Sequence, residues 1–524
     1  MAMVSVVMVA ALLSACTKNF KKYNTDTTGV TDAQLLPDFN SIGAFYPAMQ
    51  QSLIPLNDPT TADIGEYLEA GNYSGYIGSG FVGVDHRTYN HLTAWDGYSL
   101  FNFYYNNTMA SLNEVRRKKG RETAPDFWGV GLILKVGGLH KVTDTHGPIP
   151  YSQYGLGGTS VPYDSQQSVY ELMFKELDTA VTNLQAYVTA HPGAAPFTKF
   201  DISNYKGDYH GWIRLANSLR LRLAMHIVKV DPATAKLQAE KALDPANGGV
   251  MTTNADNMVV TGGLNWLAGG AFIWGDFRAG QAIISFMKGY NDPRLTVLFA
   301  PSTILPGEII GIRQGAQLSS QSVYNKFSSF NSTTFSTTTP GVFMTASEVF
   351  FLRAEGALRG WNMGGETAQA YYESGINTSF QQWGVSGAAA YIADGTSVPE
   401  DYTDPVLSVN SAPSLTHITI KWDDGASNEE KLERITTQKY LSGFPNGTEA
   451  WTNFRRTGYP KLLPVVVNNS GGTVNTDIQI RRQWYPSTEY NVNGVEVNKA
   501  VSTLLGGPDN GGTRLWWDVV GGNF

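Results

Sequence analysis

The stretch DSQQSVYELMFKELDTAVTNLQAYVTA, residues 164–190, decides how the rest of the chain is read. Val169, Met173, Leu177, Ala180, Leu184 and Val188 recur three or four positions apart, which gathers them on one face of a 3.6-residue helix. Glu171, Lys175, Asp178 and Thr182 fall opposite. Residues 204–230 repeat the pattern, with Trp212, Leu215, Leu219, Leu223 and Ile227 on one face and Arg214, Ser218 and Arg222 on another. Working outward, residues 99–119 are aromatic on one side and end in Lys118-Lys119-Gly120, a helix stop signal. Residues 123–146 are apolar with a proline in the first turn. Thr345-Ala346-Ser347-Glu348 and Ser427 to Glu430 are capping boxes that open helices over 345–359 and 427–441; 366–382 and 449–455 complete the set.

These segments group as about four helix pairs: 99–119 with 123–146, 164–190 with 204–230, 345–360 with 366–382, and 428–442 with 446–456. Pairs of this size suggest tetratricopeptide-like units, although the spacing is irregular and the usual repeat consensus is absent. The expected fold is mainly α, a helix-pair scaffold over 99–230 and 345–456 with long loop-rich insertions at 57–98, 244–344, 383–426 and 457–524. Insertions of that length fold on their own or carry function.

With 524 residues and 42% hydrophobic residues the chain can bury a large core. A formal net charge of −7 disfavours a phosphate-binding surface, so nucleic acid is not an expected partner. The single cysteine, Cys16, excludes internal disulfides, Cys-based zinc sites and CxxC redox chemistry. It follows the apolar run Val4 to Leu13 and the small pair Ser14-Ala15, which reads as a secretion signal too short to span a bilayer. Leu13-Ser14-Ala15-Cys16 resembles a bacterial lipobox, in which the cysteine becomes the lipidated first residue, although Met1-Ala2-Met3 lacks the usual basic residue. The expected organisation is a lipoprotein signal over 1–16, a polar tether over 17–40 and one domain over 41–524.

Catalytic and metal motifs find no foothold. Gly78-Ser79-Gly80-Phe81-Val82-Gly83 matches GxGxxG but lacks the strand before it and the helix after it that a dinucleotide site needs. His140, Asp144 and His146 run into a Gly/Pro turn and read as structural, as do Glu348, assigned to its capping box, and Glu355, with Arg353 and Arg359 nearby. Asn24 to Leu35 imitates a calcium loop but has Leu35 where a bidentate glutamate belongs. No catalytic residue, metal site or cofactor is expected.

Loop aromatics beside polar residues are the candidate ligand surface, because sugars present flat C–H faces next to hydroxyl edges. Tyr73, Tyr76, Trp95 and Asp96 form one such group, and Trp266 with Trp274 and nearby Asp276 the other. At least two of Tyr73, Tyr76, Trp95, Trp266 and Trp274 are expected to share an exposed pocket. Trp212 and Trp451 sit in scaffold strings and are expected in the core.

Several strings together resemble the SusD/RagB family of nutrient-binding outer-membrane lipoproteins, in its SusD-like starch-binding branch. They are Phe127 to Tyr151 with its Thr-Asp-x-x-Gly-x-Ile-Pro-Tyr ending, Trp212 to Ala224, Asn291 to Leu295, Ala346 to Glu355, Gly375 to Phe380, Thr437 to Tyr440, and Glu449 to Pro460. The resemblance implies a tetratricopeptide-like scaffold and a surface-exposed, lipid-anchored location at the outer membrane. It also implies a TonB-dependent, SusC-like transporter as partner, to which glycan oligomers are delivered. Relatives that carry peptides keep an oligopeptide ligand open. A secreted glycan-degrading enzyme is the remaining reading, against which the lack of an acid/base constellation argues.

Overall fold

The computed structural model describes residues 37–80 and 85–524; Cys16, its lipobox, nearly all of the 17–40 tether and part of the Gly78–Gly83 string lie outside them. Residues 37–44 hold two short helical turns, Pro37–Phe39 and Asn40–Gly43. From Phe45 onward the chain is one compact unit. Its scaffold consists of α1 (Pro125–His146), α2 (Gln166–Ala190), α3 (Tyr209–His226), α4 (Pro232–Leu243), α5 (Ala346–Leu358), α6 (Ala368–Gln382), α7 (Asn428–Ser442) and α8 (Gly447–Thr457).

Side chains start these helices by accepting orphan backbone N–H groups. The Ser165 hydroxyl accepts from Ser168 N at 3.1 Å, Asp208 from His210 N at 2.9 Å and Thr345 from Glu348 N at 3.2 Å. Ser427 and Glu430 form the reciprocal capping box expected of them. The other expected box is only half made, because the Glu348 carboxylate turns inward to Arg222 instead of back to Thr345. α1 has no side-chain cap; it starts on Pro125 and continues through the predicted turn to His146. Its Gly138 allows close packing, since a Cβ there would lie 2.7 Å from the Tyr104 ring.

The architecture is mainly α with helix pairs, as expected, but some partners differ. α1 packs most extensively on α2, and α3 on α4, which the sequence did not single out; α5 and α6 form the expected hairpin. α7 packs chiefly on α5, whereas α8 packs on the π-helical segment Ala62–Gly71. That segment lies in the 57–98 region expected to be loop. All ten of its residues are buried. Asp63, Glu66 and Glu69 break its apolar period, and the burial of the two glutamates is supported by internal partners: Lys141 lies 2.6 Å from Glu66, and His86 lies 2.7 Å from Glu69. Two short antiparallel ladders stitch the insertions together, β1 (Ile77–Gly78) with β3 (Arg278–Ala279), and β2 (Met258–Val260) with β4 (Gly341–Met344).

An ionic centre joins α1, α3, α5, α7 and α8. Arg222, expected on a polar face, is fully buried and grips Glu348 at 2.8 and 2.7 Å. His226 lies 3.2 Å from Asp144 and 3.1 Å from Glu449, and Lys439 lies 2.7 Å from Glu449. Burial lowers the basicity of the His226 ring, but Glu449 and Asp144 outweigh it and raise its pKa. With His226 protonated, three carboxylates (Asp144, Glu348, Glu449) meet three cations (Arg222, His226, Lys439). Such a closed set can be buried; an incomplete one cannot. His140 is 3.3 Å from Asp144 in the same centre. Glu355 is clasped by Arg456 and Arg359 at 2.7 and 2.9 Å, while the expected Arg353 bonds to Tyr371 and the Met363 carbonyl.

An aromatic cleft as candidate functional site

Three segments meet at a cleft of 210 Å³: Ala62–Gly71, the 3₁₀ turn Thr93–Tyr98 and the π turn Gly269–Trp274. The first supplies Asp63, Ile64 and Leu68, the second Trp95 and Tyr98, and the third Trp274, followed by Asp276. The β1–β3 ladder, pairing Ile77 with Ala279 and Gly78 with Arg278, ties the chain after the first segment to the chain after the third.

Trp274 is 45% and Tyr98 43% exposed; Trp95 is half-buried. The exposed rings are braced from within. Trp266 meets Trp274 edge to face at 4.8 Å and 81°, and His86 meets Trp95 at 5.6 Å and 74°. The turn carrying Trp95 is fixed through Asp96, which lies 2.5 Å from His91 Nε2 and accepts from Ser487 N at 2.8 Å. Burial pushes the Asp96 carboxyl up, but these hydrogen bonds outweigh it and hold its pKa below the usual range. Beneath the rings, Asp63 is buried and its Oδ1 has no hydrogen-bond partner among the described residues. A side chain at Gly270 would collide with that oxygen. Burial and the neighbouring Asp276 push the Asp63 carboxyl up to about 8, and burial raises Asp276 as well. The two carboxyls share a hydrogen bond and sit together beneath an aromatic rim.

The expected site residues divide. Trp95 and Trp274 line the cleft together. Trp266 is 7% exposed and supports Trp274 from behind, and Asp96 is a buried brace. Tyr73 and Tyr76, expected at the surface, are core residues. Tyr73 packs on Trp451 at 5.0 Å; Tyr76 stacks on Tyr440 at 4.6 Å and donates to its carbonyl. Gly-rich loop composition does not tell which rings fold back onto the scaffold. Tyr98 was missed, although it stands one turn after Trp95; nothing in the sequence marks Asp63. Among the described residues no cluster of His, Cys, Asp and Glu is placed to hold a metal ion, and no helix is long and apolar enough to cross a membrane.

Comparison with known proteins defines the class. A family model described as SusD-like, the SusD and RagB outer membrane lipoproteins, matches residues 22–518. The chain belongs to this family. Among solved structures it is similar to a chitin-binding SusD homologue from Flavobacterium johnsoniae, at 43% identity and a TM-score of 0.88, covering 92% of this chain and 100% of that one. A SusD homologue from Bacteroides thetaiotaomicron VPI-5482 is 37% identical with a TM-score of 0.84 over 92% and 99% of the two chains. One from Bacteroides vulgatus ATCC 8482 is 35% identical with a TM-score of 0.87 over 93% and 99%. No curated protein matches the sequence.

Proposed function

We propose that this protein is a non-catalytic, lipid-anchored binding protein of the outer cell surface that captures glycan oligomers and delivers them to a TonB-dependent, SusC-like transporter. The observation that carries the ligand class is the convergence of Trp95, Tyr98 and Trp274 over the carboxyl pair Asp63 and Asp276. Exposed ring faces match the C–H faces of sugars, and the carboxyls match their hydroxyls. Membership of the SusD-like family supports the location and the importer role. That a 43% identical relative is chitin-binding supports glycan over peptide.

The test is a glycan and peptide binding screen on the protein lacking residues 1–16, with product analysis, followed by Trp95→Ala and Trp274→Ala. Each change should weaken glycan binding by roughly 1–3 kcal/mol, the scale of a lost buried aromatic contact, with little change in melting temperature. Binding of peptides alone, or variants that bind glycan as well as the parent, would refute the assignment. Turnover of the glycan would refute the non-catalytic reading. Co-purification with a large TonB-dependent barrel from native membranes tests the partner.

A further inference from the structure

A second cavity, of 320 Å³, lies inside the scaffold and shares no residue with the aromatic cleft. It is bounded by β4, by the C-terminal end of α6 and by the connection from α7 to α8. Its apolar lining includes the rings of Phe335, Phe343 and Phe444, with the stacked pair Tyr76 and Tyr440. Half-exposed Thr334, Thr339, Gln382 and Trp383 mark its outer end, and the buried ionic centre, through Glu348, Lys439 and Glu449, marks its inner end.

Three features restrict what could occupy it. At the outer end two buried polar atoms on adjacent residues, Gln382 Oε1 and Trp383 Nε1, have no hydrogen-bond partner among the described residues. One is an acceptor and the other a donor, so a single hydroxyl can serve both. At the inner end Glu348 is already matched by Arg222, and Glu449 by Lys439 and His226, so a charged ligand would enter without a counter-ion. Polar side chains in the lining such as Asn265, Thr334, Asn446 and Asn453 are already hydrogen-bonded within the protein. Besides the Gln382–Trp383 pair, only Tyr440 Oη is a buried lining atom without a partner among the described residues, too few groups for the several hydroxyls of a sugar, whose burial would then be costly. An apolar cavity of about 150 Å³ accommodates benzene; this one, at 320 Å³, suits two fused rings.

We propose that this cavity is a second ligand site, separate from the glycan cleft, that takes an uncharged bicyclic aromatic molecule bearing one hydroxyl. The fused rings lie among Phe335, Phe343 and Phe444, and the hydroxyl donates to Gln382 Oε1 and accepts from Trp383 Nε1. This site does not depend on the glycan reading, since no residue is common to both.

The probe is 2-naphthol, titrated by calorimetry into the protein lacking residues 1–16, with 2-naphthoate as the charged control and N-acetylglucosamine as the sugar control. Saturable binding of 2-naphthol at a dissociation constant below about 1 mM is expected, at least tenfold tighter than either control. Ala450→Leu, which fills the cavity from α8, should weaken 2-naphthol at least tenfold without lowering the melting temperature. Trp383→Phe, at the half-exposed end, removes the donor and should weaken it several-fold; it decides the matter if Ala450→Leu fails to fold. Glycan binding at the cleft should be unchanged in both. No saturable binding, equal binding of the controls, or binding indifferent to both substitutions would show a solvent-filled cavity and overturn the proposal.

Discussion

Replacing Arg222 with methionine should be among the most damaging single changes in the scaffold, and pairing it with Glu348→Gln should undo most of the damage. Arg222 is fully buried, holds Glu348 by two hydrogen bonds of 2.8 and 2.7 Å, lies 3.6 Å from Glu449 and covers the Phe343 ring at 5.2 Å. Methionine keeps most of the apolar volume, so the cavity cost is small. What is lost is the cation. Glu348 is then left with Lys439 at 3.7 Å, a lysine already committed to Glu449 at 2.7 Å. Breaking one half of a buried pair costs roughly 3–5 kcal/mol, because a carboxylate remains buried without compensation. With a urea m-value of about 3 kcal/mol per M or more for a chain of this size, the midpoint should fall by about 1 M. Glu348→Gln on top of Arg222→Met removes the stranded charge, so the double variant should recover most of that midpoint. The assay is urea unfolding followed by tryptophan fluorescence and circular dichroism on parent, both singles and the double. A single variant within about 0.5 kcal/mol of the parent, the range of ordinary surface substitutions, would refute the ionic-centre argument. So would a double variant no better than Arg222→Met alone.

Two further predictions stand on other residues. Burial pushes the Glu355 carboxyl up, but Arg456 and Arg359 overcome it and bring it down to about 2. Its contribution is therefore fully present above the unfolded value near 4.5 and is lost as pH falls toward about 2. The stability gap between parent and Glu355→Gln, measured by thermal unfolding, should be constant from pH 5 to 7 and close as pH falls through that window; a gap independent of pH would contradict the linkage. Cys16→Ala should move the protein from the membrane fraction to the soluble fraction, since each buried acyl CH₂ contributes about 0.8 kcal/mol to anchoring, and intact mass of the native protein should show acyl addition at Cys16.

The scaffold was legible in the sequence because an amphipathic helix writes its buried face as a period, and the stripe of α2 from Val169 to Leu184 is buried as read. Where polar residues are buried, the same rule misleads. Arg222 and Ser218 read as a second, polar face of α3, yet both are inside. Periodicity registers polarity, whereas burial of a charge depends on a partner elsewhere in the chain, here Glu348. Ala62–Gly71 failed for the same reason: three carboxylates and two glycines erase its period, and the partners that permit its burial, such as Lys141 and Gln483, are remote. Among the residues expected to bind ligand, Tyr76 and Trp95 look alike in sequence. They differ in that Tyr76 meets Tyr440, 364 positions away, whereas Trp95 stands on a short turn and lines the cleft.

That difference bears on how the cleft can bind. The segments forming it are not free loops. Ala62–Gly71 is docked on α8 and touches both the Trp95 turn and the helical turn around Trp266. Trp274 rests edge-on against buried Trp266, and Trp95 against buried His86. Rings held in this way have little rotamer freedom left to lose when a ligand arrives, so more of the contact energy appears as affinity. The buried tryptophan and histidine thus hold in place the exposed rings of the proposed site. On the proposed reading, variation at Trp95, Tyr98 or Trp274 changes what is bound while the Ala62–Gly71 segment, docked on α8, stays as it is.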